Sequence, residues 1–126
     1  MIIATGIDII EIKRLASSVQ QYGEHFLNRV YTKEEQMAAP TSEHVRICYY
    51  AGRWAVKEAV SKALGTGIGP SCAMTDIVVL NDAAGRPHLE LRGHAAETAN
   101  RLGIHKIHIS ISHEREYAVA HAIAEN

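Results

Sequence analysis

A chain of 126 residues, 47% hydrophobic and 21% charged, has the length and make-up of one ordinary globular domain. Its formal net charge of −1 excludes a global electrostatic footprint for nucleic acid or a membrane surface, so a charged partner must be met by a local patch. Two cysteines without C-x-x-C spacing exclude a disulfide framework and a thiolate zinc site, no apolar run reaches a membrane span, and Met1 to Gly6 offers no secretory signal, so a cytoplasmic setting is expected.

Ile2 to Ile10 reads as a strand with apolar residues on both faces, hence a buried one. Asp8 interrupts it. A carboxylate in such a run is costly unless paired, hydrogen-bonded or bound to a metal, which leaves Asp8 as a helix cap or a functional group. Glu11 to Tyr22 places Ile12, Leu15, Val19 and Tyr22 at helical spacing, with Lys13 and Arg14 off that stripe. These two are solvated surface or a dock for an acidic protein. Beyond Gly23, Phe26 to Tyr31 is a short apolar segment. Thr32-Lys33-Glu34-Glu35 is a capping-box signature for a short helix that Pro40 ends.

Ser42 is placed to cap a long helix running to Leu64, with Gly65 as its left-handed stop and Gly52 marking a kink or a close approach. At about 100° per residue, Val56, Ala59, Val60, Ala63 and Leu64 share one apolar arc. Glu58 and Lys62, one turn apart, point away from it. Ala51 and Ala55 share their side and keep it low enough to seat a ligand. A solvated i,i+4 ion pair worth roughly 0.2–0.5 kcal/mol accounts for the same two residues. The glycine-rich loop Gly65 to Pro70 follows a helix rather than a strand, so it is neither a Rossmann nor a P-loop motif, although its N–H groups can face phosphate.

Asp76 to Leu80 and His88 to Leu91 read as a hairpin turned by Asn81 to Pro87, and Gly93 to Leu102 as a helix ended by Gly103. Ile107, Ile109 and Ile111 alternate with His108, Ser110 and Ser112, the clearest strand pattern in the chain. After a turn at His113 to Glu116, Tyr117 to Ala124 pairs back. Its alanines, Ala118, Ala120, Ala122 and Ala124, form a narrow face suited to another sheet or subunit. The economical architecture is α+β: one domain over residues 1–126, an antiparallel β-sheet packed with a long central helix and shorter helices.

Asp8 and Glu58, carboxylates from different elements without supporting cysteines, suit a hard cation such as Mg²⁺. Lys62 then reaches a phosphate oxygen, and Arg53, Lys57, His108 and the glycine loop are further phosphate contacts. This constellation points to a phosphate- or pyrophosphate-bearing substrate without identifying it. A binding module without catalysis and a Mg²⁺-dependent phosphohydrolase remain open on these residues. His25, His44, His88, His94 and His105 carry no ligand assignment, and His113 and His121 are undecided.

Five segments run in order along the chain: Gly6-Ile7-Asp8-Ile9, Arg29 to Glu35 (RVYTKEE), Arg53 to Gly69 (RWAVKEAVSKALGTGIG), Asn81 to Pro87, and His108 to Ala118 (HISISHEREYA). On them the sequence resembles the holo-[acyl-carrier-protein] synthases, small 4′-phosphopantetheinyl transferases, with Trp54 where that family often has Phe. The resemblance implies that fold and the transfer of the phosphopantetheine arm of coenzyme A to a serine of apo acyl carrier protein, releasing adenosine 3′,5′-bisphosphate. The product is holo carrier protein for fatty acid biosynthesis. By that match Asp8 and Glu58 hold Mg²⁺ on the pyrophosphate, and Glu58, through a water, helps deprotonate the serine. Lys62 neutralises the pyrophosphate and leaving group. Arg53 and His108 neighbour the 3′-phosphate, Gly65 belongs to the loop at the rim, and the backbone at Gly85 and Arg86 approaches the adenine. Lys13 and Arg14 meet the acidic carrier protein. A homotrimer with sites between subunits is implied as well.

Overall fold

The computed structural model describes residues 1–126. The elements follow in the order β1 (Ile2–Glu11), α1 (Ile12–Tyr22), α2 (Glu24–Val30), α3 (Lys33–Met37), α4 (Glu43–Ala63), a 3-10 turn (Met74–Asp76), β2 (Ile77–Asn81), β3 (Pro87–Leu91), α5 (Gly93–Arg101), β4 (Lys106–His113) and β5 (Tyr117–Glu125). All strand pairing is antiparallel. One sheet has the order β1-β5-β4, and β2-β3 is a separate hairpin.

Period-2 alternation decides what the three-stranded sheet shows to α4. Ala4, Gly6 and Asp8 of β1 pair with Ala124, Ala122 and Ala120 of β5, and those alanines pair onward with Ile107, Ile109 and Ile111 of β4. The face so formed packs on Ala55, Val56, Ala59, Val60 and Ala63 of α4 in the larger core cluster. A strand lined with alanine lets a helix lie close, and Gly6 marks the closest approach. A Cβ there would stand 1.9 Å from the Ala59 carbonyl oxygen. At 21 residues α4 is about 30 Å long, enough to reach a second cluster formed by Ile12, Leu15, Val30, Tyr31, Tyr50 and Ala51.

Most start and stop signals hold, although Ser42 precedes α4 without a side-chain cap hydrogen bond. Thr32 and Glu35 close the capping box, the Glu35 N–H donating to Thr32 Oγ1 at 3.2 Å and the Thr32 N–H to Glu35 Oε1 at 2.9 Å. Gly65 follows α4 with φ of 78°. Gly52 marks a close approach, because a Cβ there would meet Ile111 Cγ2 at 3.0 Å. Asp8 stays within β1 and caps nothing; the residue preceding α1 is Glu11.

Three expectations are corrected. The first strand is not buried on both faces: Ile7 and Ile9 are 61% and 64% exposed, because α4 covers only one side of the sheet. The alanine face of β5 does not await a second subunit; α4 of the same chain fills it. Ala51 and Ala55 do not leave an open floor beside Glu58, since both are fully buried in the two core clusters.

Candidate functional site

Asp8 projects from the helix-facing side of β1 at the margin of the sheet, where its side chain keeps 15% of its exposure. Lys62, in the last turn of α4, crosses to it. The ammonium donates to Asp8 Oδ1 at 3.1 Å and to the Ile7 carbonyl at 2.9 Å. Glu58, one turn earlier on α4, feels both. Partial burial raises its carboxyl pKa, the negative charge of Asp8 raises it further, and Lys62 opposes the rise. The sequence-predicted trio Asp8, Glu58 and Lys62 is thus one electrostatic unit, assembled from a strand residue and two helix residues at least fifty positions further on.

Of this unit Glu58 lines a cleft of about 560 Å³, together with Tyr22, Phe26, Trp54, Ile68 and Met74, with His25 and Arg29 at the same cleft. Phe26 and Trp54 stack with ring centroids 5.9 Å apart. The sequence assigns His25 no role and does not mark out the aromatic wall. Helical spacing marks Tyr22 and Trp54 only as apolar, and which of two flanking helices they face is a tertiary fact. Lys13 and Arg14 are exposed on α1.

Two predicted phosphate contacts are spoken for elsewhere. Lys57 is fully buried, its ammonium donating to Glu35 Oε1 at 2.8 Å, to the Met74 carbonyl at 3.0 Å and to the Ile77 carbonyl. Burial pulls its pKa down and Glu35 pushes it back. Arg53 is 8% exposed, donates to Asn81 Oδ1 at 2.8 Å and lies 4.0 Å over the Tyr49 ring, and its Nε is buried without a partner. Both side chains tie α4 to β2.

His108 and Arg86 lie apart from the carboxylates. They border a second hollow of about 770 Å³ between the β2-β3 hairpin, α5 and the edge of β4, floored by Leu89, Leu91, Ile104 and Ile107. His108 Nε2 stands 2.9 Å from Glu125 Oε1, and that contact lowers the Glu125 pKa. In the hairpin turn Asp82 Oδ1 accepts the N–H groups of Ala84 and Arg86, and Gly85 has φ of 84°. His121 is exposed on the outer face of β5, opposite Ile7 and Ser110. Two groups of predicted residues therefore stand apart on one chain: Asp8, Glu58 and Lys62 together, with Glu58 lining the cleft, and Arg86 and His108 at the hollow.

No cluster of three or more His, Cys, Asp or Glu side chains that would hold a metal ion is present. The donor set is the carboxylate pair. It fits Mg²⁺, which keeps several waters and uses one or two protein carboxylates alongside phosphate oxygens. Burial is the first cause of the raised Glu58 pKa and the negative charge of Asp8 the second, and a divalent cation between the two carboxylates would relieve that second part.

Residues 4–122 match the family described as the 4′-phosphopantetheinyl transferase superfamily. A holo-[acyl-carrier-protein] synthase from Koribacter versatilis is 40% identical over 126 residues, all of both chains. Among solved structures, the holo-[acyl-carrier-protein] synthase of Neisseria meningitidis superposes with a TM-score of 0.91 at 32% identity, covering 100% of each chain. The Helicobacter pylori holo-[acyl-carrier-protein] synthase, solved in complex with coenzyme A, superposes at 0.85 with 30% identity, covering 96% of this chain and 99% of that one.

Proposed function

The chain belongs to the 4′-phosphopantetheinyl transferase superfamily, among its holo-[acyl-carrier-protein] synthases, and on that premise we propose how its residues 1–126, read as one domain, carry out the reaction. The substrate is coenzyme A and the acceptor a serine of apo acyl carrier protein. The serine oxygen bonds to the pantetheine-side phosphorus as the bond from that phosphorus to the adenosine-side phosphate oxygen breaks, and adenosine 3′,5′-bisphosphate leaves. Delivery of holo carrier protein to fatty acid synthesis belongs to the same reading. So does a cytoplasmic location, for which the two free, buried cysteines speak.

The observation that carries the proposal is the Asp8–Lys62–Glu58 unit, whose Glu58 lines a largely apolar cleft. Asp8 and Glu58 would hold Mg²⁺, which when bound supplies charge neutralisation and alignment of the pyrophosphate. Glu58, acting through a water, would help deprotonate the serine. Lys62 uses two of its three donors on Asp8 and Ile7, leaving one for an incoming phosphate oxygen. Arg86 and His108, at the other hollow, would serve the adenosine end of coenzyme A. Arg53 acts behind them by fixing Asn81 at the base of the hairpin.

A homotrimer is part of this reading. The exposed Ile7 and Ile9 support it, as does the placement of Arg86 and His108 in a hollow separate from the carboxylates. In the test, the protein is incubated with coenzyme A, Mg²⁺ and an apo carrier protein, and the carrier's intact mass is followed. Gain of the arm is expected. Tight coenzyme A binding with no transfer to any carrier would replace the proposal with a binding module, and hydrolysis of coenzyme A without transfer with a phosphohydrolase.

A further inference from the structure

Glu35 and Lys57 have no part in the chemistry above, yet they form a fully buried ion pair, both side chains at 0% exposure and 2.8 Å apart. A buried pair seldom stabilises a fold more than apolar residues of equal volume, so the informative point is what the pair holds in place. The Glu35 carboxylate accepts the N–H groups of Thr32 and Val79, each at 2.9 Å, joining the start of α3 to β2. Lys57 spends its two other donors on the carbonyls of Met74 and Ile77. Every hydrogen of the ammonium is used, and four segments meet on one pair.

Met74 is where this scaffold touches the site. It ends the loop that returns from α4, its carbonyl is held 3.0 Å from Lys57 Nζ, and its side chain lines the Glu58 cleft with Ile68 and Trp54. Lys57 and Glu58 are consecutive on α4. One turn of helix therefore presents the carboxylate and also anchors the wall beside it.

We propose that Lys57 and Glu35 are positioning residues that set the spacing between Glu58 and the Met74 wall of the cleft. The inference rests on the reading of Glu58 as a site carboxylate. Its test pairs a kinetic with a spectroscopic measurement, using Trp54, the chain's single tryptophan and a lining residue of the same cleft. Glu35→Gln/Lys57→Met removes both charges together and so strands neither in the core, whereas Met74→Ala removes only the wall. In both variants, acrylamide quenching of Trp54 rises about twofold and kcat falls about tenfold or more, while the coenzyme A KM stays within about twofold, the pattern of misplaced reacting groups.

Unchanged Trp54 quenching in the folded paired variant overturns the proposal, as does a rise in quenching with kcat intact. If the paired variant does not fold, Met74→Ala decides: unchanged kcat and quenching refute the clamp. The quenching readout needs no transferase activity. A parent chain that transfers nothing defeats the functional reading, while the fluorescence still decides the clamp.

Discussion

Replacing Gly6 by alanine tests the site through the backbone that shapes it. The added Cβ would lie 1.9 Å from the Ala59 carbonyl oxygen and 2.9 Å from the Ala63 nitrogen, where ordinary contact begins at 3.4 Å. Both obstacles are helix backbone and cannot rotate aside, so β1 and α4 must part locally by about 1.5 Å. Asp8 is two residues along the same face of β1, so it moves with the strand while Glu58 and Lys62 stay with the helix. Carboxylate oxygens hold Mg²⁺ at about 2.0–2.1 Å with little tolerance, and a misplacement of about 1 Å can cost about a hundredfold in rate. Gly6→Ala should therefore transfer the arm about a hundredfold more slowly at saturating coenzyme A, need more Mg²⁺, and unfold about 5–15 °C lower, given about 1–3 kcal/mol of overpacking. Gly52→Ala is the control. Its Cβ would meet only Ile111 Cγ2, a side-chain atom, at 3.0 Å, and the substitution recovers about 1 kcal/mol of helix propensity, so its stability should stay within about 1 kcal/mol of the parent. A Gly6→Ala protein with the parent's melting temperature and Mg²⁺ requirement would refute the reasoning.

Glu58→Gln should abolish most turnover with the fold intact, and near-normal activity would remove Glu58 from the site. Its pH dependence has a definite sign. A raised carboxyl pKa means that the folded chain binds the proton more tightly, so the stability this gives is present below the ordinary glutamate range and is lost as pH rises through the folded value. Without Mg²⁺, Glu58→Gln should thus melt above the parent near pH ~7 and lose that margin near pH ~4; a lower melting temperature at the higher pH would contradict it. Reversing the charges of Lys13 and Arg14 on α1 should raise the carrier-protein KM far more than the coenzyme A KM, and equal effects on both would sink the docking assignment.

Much of this arrangement could be read from local pattern. Asp8 stood out because Ile9 and Ile10 carry the strand past it, which made a cap a poor explanation, and the structure keeps it in β1. Thr32 and Glu35 announced a helix start through a four-residue rule that needs no tertiary information. What local pattern does not contain is the identity of the layer above a face. Alternation in β1 and β5 defines two sides of a sheet, and only the packing of α4 decides that the alanines go inward and Ile7 and Ile9 stay outside. Lys57 was misread for the same reason. A lysine beside Glu58 and one turn from Ser61 looks like a second phosphate ligand until Glu35, from another helix, is found in contact with it. Arg53 meets Asn81 and Tyr49, partners that no spacing rule connects to it.

The pairing of β1 has a consequence for how the protein acquires its activity. The only strand beside β1 is β5, with Ile7 opposite His121, so nearly the whole chain separates the two partners. Closing a loop of that length is entropically unfavourable and slow, so β1 is expected to dock late, after α4 and the hairpin have formed from nearer contacts. On a ribosome β1 leaves the tunnel first, and its isoleucine-rich edge must wait unpaired until the final strand follows. Asp8 meets Lys62 through the packing of β1 on α4, and β5 completes the sheet that holds β1 there, so a chain stalled or truncated before β5 should hold its carboxylate pair loosely, and chaperone demand should concentrate on that interval.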